Sequence, residues 1–104
     1  MTTSPMRIRA RALRGVTEIQ VLMPHPMETG LRRDEAGEPI ARHHITDVVV
    51  TLGERTVFAA RCSFAVSRDP LIVFRVRDAQ AGQRLKVVWT DNRGQQRSDE
   101  TVIA

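Results

Sequence analysis

At 104 residues the chain is long enough for one domain and too short for two. Sixteen Lys and Arg side chains against twelve Asp and Glu give a net charge of +4; apolar residues make up 41% of the chain and aromatics only 4%, which suits one modest core between two thin layers. No stretch is as long and apolar as a membrane span, the single cysteine, Cys62, excludes an internal disulfide, and the scarcity of aromatics argues against a stacking surface for single-stranded nucleic acid.

Residues 1–5 read as a disordered leader and residues 6–104 as a single domain. From Met6 to Ala12 the chain alternates strictly, with Met6, Ile8, Ala10 and Ala12 on one face and Arg7, Arg9 and Arg11 on the other; this is the pattern of a half-buried strand. Gly15 ends it. A second strand follows over residues 18–23, with Ile19, Val21 and Met23 inward.

Residues 24–42 carry no clear period, and a loop of that length in a compact domain is usually functional. Pro24 and Pro26 flank His25, which stiffens the chain and holds it extended. The expectation is a displayed imidazole, thioether and carboxylate at His25, Met27 and Glu28, followed by Gly30 and the charged run Arg32, Arg33 and Asp34. Residues 34–37 form a good turn signal, so part of the loop is expected to fold as an extra hairpin.

Residues 44–52 are β-branched and apolar, and Gly53-Glu54 separates them from Val57-Phe58-Ala59-Ala60, a hairpin signal. Residues 63–66 read as irregular. Arg68-Asp69-Pro70 marks a corner before a strand over residues 71–76, and residues 79–82 turn the chain again. Leu85, Val87 and Trp89 alternate with Lys86, Val88 and Thr90. Asp91-Asn92-Arg93-Gly94 is the last hairpin turn, before a strand that runs to about Ile103.

Seven short strands without a helical period give an all-β fold, an immunoglobulin-like antiparallel β-sandwich of about seven strands. A small barrel is the competitor. Trp89, Phe58, Phe64 and Phe74 are assigned to the core. Val48-Val49-Val50 and Leu71-Ile72-Val73 are unbroken apolar triplets, and each must expose at least one residue in a sheet buried on one face. That exposed apolar surface, in a small chain with a modest core, favours a permanent partner.

The residues able to carry chemistry are few. His25, His43 and His44 match no dense metal motif, and adjacent histidines in a strand point to opposite faces, so at most one of the second pair can join His25. No metal and no cofactor is assigned. His25 with Glu28 would be an acid/base pair without a nucleophile. Cys62, beside Ala59, Ala60 and Phe64, is assigned as a buried structural thiol. His25, Pro26, Met27, Glu28, Arg32, Arg33 and Asp34 together are assigned to partner docking, because the charged patch adjoins a stiff loop. The arginines are spread along the chain and read as solvated strand faces, so no nucleic-acid partner is expected.

Several stretches resemble one family. His25–Gly30, the Arg-Arg-Asp of residues 32–34, Gly-Glu-Pro-Ile-Ala-Arg at 37–42, Val-Ser-Arg-Asp-Pro at 66–70 and Val-Val-Trp-Thr-Asp-Asn-Arg-Gly at 87–94 are similar to SoxZ, the smaller subunit of the SoxYZ sulfur carrier of bacterial thiosulfate oxidation. The resemblance spans roughly residues 7–104 in one register. It implies an immunoglobulin-like domain that pairs with SoxY, whose Gly-Gly-Cys-Gly-Gly tail bears the substrate. It also implies transient contact with haem-containing and hydrolase Sox proteins, and no active site in this chain. The first seven residues have no apolar signal region, so the expected location is cytoplasmic or, as the resemblance implies, periplasmic by export with a signal-bearing partner. From the residues alone, the alternative is a free-standing immunoglobulin-like binding module with a ligand or metal site in the His25–Asp34 loop.

Overall fold

The computed structural model describes residues 3–63 and 66–104. Its strands are β1 (Arg7–Leu13), β2 (Val16–Leu22), β3 (Ile45–Leu52), β4 (Arg55–Arg61), β5 (Leu71–Arg77), β6 (Arg84–Asp91) and β7 (Gln96–Val102). They form two antiparallel sheets, one of three strands in the order β1-β2-β5 and one of four in the order β4-β3-β6-β7. This is the expected immunoglobulin-like sandwich, with the chain crossing between sheets after β2, β4 and β5. Phe64 and part of the irregular stretch expected over residues 63–66 lie outside the described residues.

Three connections within a sheet are tight hairpins. Arg14 and Gly15 join β1 to β2 with φ of 53° and 80°, the two left-handed residues of a primed turn whose twist matches the strands. Between β6 and β7 the Gly94 amide donates to the Asp91 carbonyl at 3.2 Å and the Asp91 amide to the Gln95 carbonyl at 2.9 Å. Gly94 closes that loop at φ 77°, where a β-carbon would be strained.

The core is built by strand parity. Ile19 and Val21 from β2 meet Val48, Val50, Leu85, Val87 and Trp89 from the larger sheet, and all are buried. The triplet expectation is met: Val49, Leu71 and Val73 are the outward members, exposed by 37%, 59% and 54%. Both sides of the sandwich are closed. Phe58 of β4 stacks on Phe74 of β5 with ring centroids 4.5 Å apart. On the other side Ala12 donates to the Ala104 carbonyl, and Ala104 to the Ala10 carbonyl, each at 2.9 Å, so the residues after β7 pair with the edge of β1.

Replacing Ile19, which is fully buried, with alanine removes three carbons from the centre of this core and is expected to cost about 3 kcal/mol. Val49→Thr, on the outer face, is expected to stay within about 0.5 kcal/mol of the parent. Chemical denaturation of the two variants checks the assignment of inner and outer faces.

Candidate functional site

The loop after β2 does not leave the sheet at once. The Met23 amide donates to the Pro70 carbonyl at 2.9 Å, and His25 and Asp69 then bind each other reciprocally: the His25 amide to Asp69 Oδ1 at 2.9 Å and the Asp69 amide to the His25 carbonyl at 3.0 Å. The β2–β5 ladder thus continues into the proline-flanked segment. Met27 turns the chain at φ 47°, and Glu28 pairs with His43 as an isolated antiparallel bridge. These pairings direct His25 and Met27 inward.

Both side chains are buried, each only 4% exposed, which corrects the expectation that they are displayed. Prolines on either side stiffen the segment, but its backbone hydrogen bonds decide which way the side chains face. Met27 Sδ accepts the Ile45 amide at 3.3 Å. His25 Nε2 lies 3.1 Å from Asp91 Oδ2, and His43 Nε2 lies 2.8 Å from the same oxygen. The other carboxylate oxygen, Oδ1, accepts the amides of Arg93 at 3.0 Å and Gln95 at 2.9 Å. Trp89 meets the His25 ring edge-on at 5.1 Å, and the two imidazoles meet at 4.5 Å. As strand parity requires, only one histidine of the second pair joins His25; His44 instead donates its amide to Asn92 Oδ1 at 2.8 Å.

The hydrogen bonds settle the chemistry of this cluster. His25 Nδ1 accepts the Met27 amide at 3.1 Å, so the ring hydrogen of a neutral imidazole must lie on Nε2, donating to Asp91. His43 Nε2 faces two oxygens, Asp91 Oδ2 and Gln95 Oε1 at 3.1 Å, and so also carries hydrogen. His25, His43 and Asp91 bring ligand-type atoms within 4.8 Å of one another. Metal coordination through His25 Nε2 would nevertheless move its hydrogen to Nδ1, against the Met27 donor, so the donor set does not suit an ion. The cluster is a buried carboxylate held by four N–H groups.

Charge follows from this arrangement. Burial lowers the His25 pKa below 6.5; the bond to Asp91 opposes that shift, and His43 adds to it. Burial alone would raise Asp91, but the His25, Gln95, His43 and Arg93 donors outweigh it and bring its pKa below 3.8.

The rest of the expected docking set stays at the surface. Pro26 is exposed. Glu28 is paired bidentately with Arg32, whose hydrogen bonds lower the carboxyl pKa. Arg33 donates to the Gly37 carbonyl at 2.8 Å, and Asp34 Oδ1 accepts the amides of Ala36 and Glu38, both at 2.9 Å. Residues 32–40 therefore fold as the small hairpin that the turn signal implied, closed by the Ile40 amide on the Arg32 carbonyl at 2.9 Å. The set divides into two buried anchors, His25 and Met27, and an exposed hairpin that they hold. Beside the anchors lies a cleft of about 290 Å³ lined by Pro24, His25, Pro26, Arg68, Trp89 and Gln95 among others. Trp89 Nε1 is buried with no hydrogen-bond partner among the described residues. Cys62 is half-buried against the core, and its thiol pKa is raised by burial and by the Asp47 carboxylate, which makes the thiolate scarce.

Asp91 and Gln95 were missed in the sequence, where residues 91–94 read as a turn. The signal was present: Asp91 continues the inward parity of Leu85, Val87 and Trp89, so its carboxylate had to enter the core and find donors.

The family described as "Sulphur oxidation protein SoxZ" matches residues 6–102. The chain belongs to the SoxZ family. That membership covers nearly the whole domain and makes the chain a subunit of a Sox sulfur-oxidation system. No curated protein matches it by sequence. Among solved structures it is similar to a superoxide reductase in the oxidised state, with 13% identity and a TM-score of 0.65 over 95% of this chain and 86% of that one. It is also similar to the superoxide reductase (neelaredoxin) from Archaeoglobus fulgidus in the reduced form, with 20% identity and a TM-score of 0.61 over 96% and 87%. At such identities the likeness shows the fold of this SoxZ chain alone.

Removing the central carboxylate should leave several buried donors unsatisfied. Asp91→Ala is expected to cost about 3 kcal/mol, a fall in Tm of roughly 12–24 °C. Asp91→Asn should fare little better, because an amide offers one acceptor oxygen where the carboxylate offers two. The pH dependence has a definite sign. His25 and Asp91 both have pKa values lowered by folding, so the unfolded chain takes up protons first as the medium is acidified. Stability is therefore full above 6.5, declines below it as unfolded His25 is protonated, and declines again below 3.8 through Asp91. Melting curves between about pH 8 and about pH 3 check this; a Tm that rises on acidification from neutrality would contradict it.

Proposed function

We propose that this SoxZ chain is the non-catalytic scaffold of a sulfur-substrate carrier. It pairs with SoxY and helps to present the SoxY-bound intermediate of thiosulfate oxidation to the haem-containing and hydrolase Sox proteins. The proposed compartment is the periplasm, reached by export with the signal-bearing SoxY. The observation that carries this reading is the family match over residues 6–102.

The residues are consistent with a scaffold. His25 and His43 are both committed to Asp91 through Nε2, and the remaining lone pair of His25, on Nδ1, is taken by the Met27 amide, which leaves His25 none for a general base. Cys62 sits at the end of β4, half-buried and with a raised pKa, which suits neither a swinging arm nor a nucleophile. The exposed hairpin, with Arg32, Arg33 and Asp34, and the half-buried Glu28 that pairs with Arg32 are proposed as a docking element because they are charged and are held at the base by two buried side chains.

Tagged chain expressed with its neighbouring reading frames should bring down, in equal amount, a protein that ends in a Gly-Gly-Cys-Gly-Gly-like tail, identified by mass spectrometry. A monomer with no such partner would overturn the scaffold reading. Arg32→Glu with Arg33→Glu should weaken that complex about tenfold; an unchanged Kd would remove the hairpin from the interface.

A further inference from the structure

The arginines that look scattered in the sequence are not scattered in the fold. On the outer face of the three-stranded sheet, the pairing register aligns Arg7, Leu22 and Leu71 in one row across β1, β2 and β5. Successive outward rows are Arg9, Gln20 and Val73, then Arg11, Glu18 and Arg75, and lastly Leu13, Val16 and Arg77. The face therefore carries five guanidinium groups and one carboxylate, a net charge of +4 that equals the net charge of the whole chain. The remainder of the molecule is electrically balanced.

All five arginines are exposed. Glu18 lies 3.6 Å from Arg75 and also accepts the Gln20 amide nitrogen at 3.2 Å. Arg7, Arg9 and Arg11 have no acidic side chain in an ion pair with them among the described residues. Like charges two residues apart on one strand lie about 7 Å from one another, within the Debye length at physiological salt, so they repel. An apposed acidic surface relieves that repulsion. The same face exposes Leu13, Leu71 and Val73 by 68%, 59% and 54%.

We propose that this sheet face is a docking surface for an acidic, flat protein surface, and that its occupant is the sulfur-carrying partner chain. The inference rests on the scaffold reading above and adds to it the face used and the charge of the partner. A protein is favoured over a nucleic acid by the composition of the face. Exposed Leu and Val interleaved with Arg are covered by a protein surface but gain little from a phosphate backbone, and the face holds no aromatic group for base stacking. Lys is absent from it, whereas Arg forms paired hydrogen bonds to carboxylates.

The test compares association of the full chain with the co-purified carrier partner for the parent, for Arg9→Glu with Arg77→Glu, and for the neutral pair Arg9→Gln with Arg77→Gln. Melting curves confirm that each variant folds, and the neutral pair serves if charge reversal does not. At low salt the reversed variant should associate at least about tenfold more slowly, with a flattened salt dependence, and should also dissociate faster than the parent. The neutral pair should fall between it and the parent. Equal association rates and salt slopes for all three would overturn the proposal while leaving the scaffold reading intact. Failure of the parent to bind any carrier chain would overturn both. A duplex oligonucleotide bound by the parent at about 0.15 M salt, and released by the same substitutions while carrier binding is unchanged, would assign the face to nucleic acid and overturn the proposal.

Discussion

One buried carboxylate holds together the end of the sandwich from which the long loop projects. Asp91 ends β6, His43 precedes β3, and His25 follows β2, so the two histidine bonds join three chain segments from two sheets at one oxygen. A carboxylate so deeply buried is costly unless its lone pairs are filled. Here two ring nitrogens and two backbone amides fill them. Those bonds in turn impose the tautomer of His25, because the Met27 amide already occupies Nδ1. The arrangement resembles a metal or acid/base site in composition and differs from both in where its hydrogens lie.

The same constraint explains how a long loop is kept orderly. The segment from His25 to Met27 is fixed by the carboxylate cluster, by the reciprocal bonds between His25 and Asp69, and by the Ile45 amide on Met27 Sδ. Past Glu28 the chain is free of the core, and residues 31–39 are all exposed. They keep their shape through local bonds around Asp34 and Arg33. Gly30 sits where these two regimes meet; a β-carbon there would approach Arg42 Cγ to 3.0 Å at a φ of 86°, so the residue is both sterically and conformationally constrained.

Strand identity was legible because period-two alternation is a direct consequence of the pleat. Met6 to Ala12, Ile19 to Met23 and Leu85 to Trp89 all placed their apolar members inward as read. The loop was harder, because it has no period and its conformation depends on partners distant in the chain. Prolines around His25 announced stiffness without saying which way the ring would face; that was decided by Asp69 and Asp91, 44 and 66 residues away. Asp91 itself was hidden by its good fit to a turn, although the parity of β6 pointed it inward. A polar residue at an inward position next to a buried tryptophan is the clue to weigh over turn propensity.

Charge was the least legible property, because it depends on which strands become neighbours. Arg7, Arg9 and Arg11 alternate with apolar residues as any solvated strand would, and Arg75 and Arg77 do the same some sixty residues later. Only the placement of β2 between β1 and β5 merges the two sets into one field. The outer face of the other sheet shows that this is not a general feature of the fold. There Arg61 lies 4.0 Å from Asp47 on the neighbouring strand and Arg84 lies 3.1 Å from Glu100, with Lys86 opposite the same Glu100, so three cations face two carboxylates. Two sheets with similar alternation thus differ in charge, five cations against one carboxylate on one outer face and three against two on the other. Neither the core nor the hydrogen-bonded cluster requires that difference. A binding role accounts for it, since an unbalanced field costs stability in the isolated domain and is offset when an opposite field is brought against it.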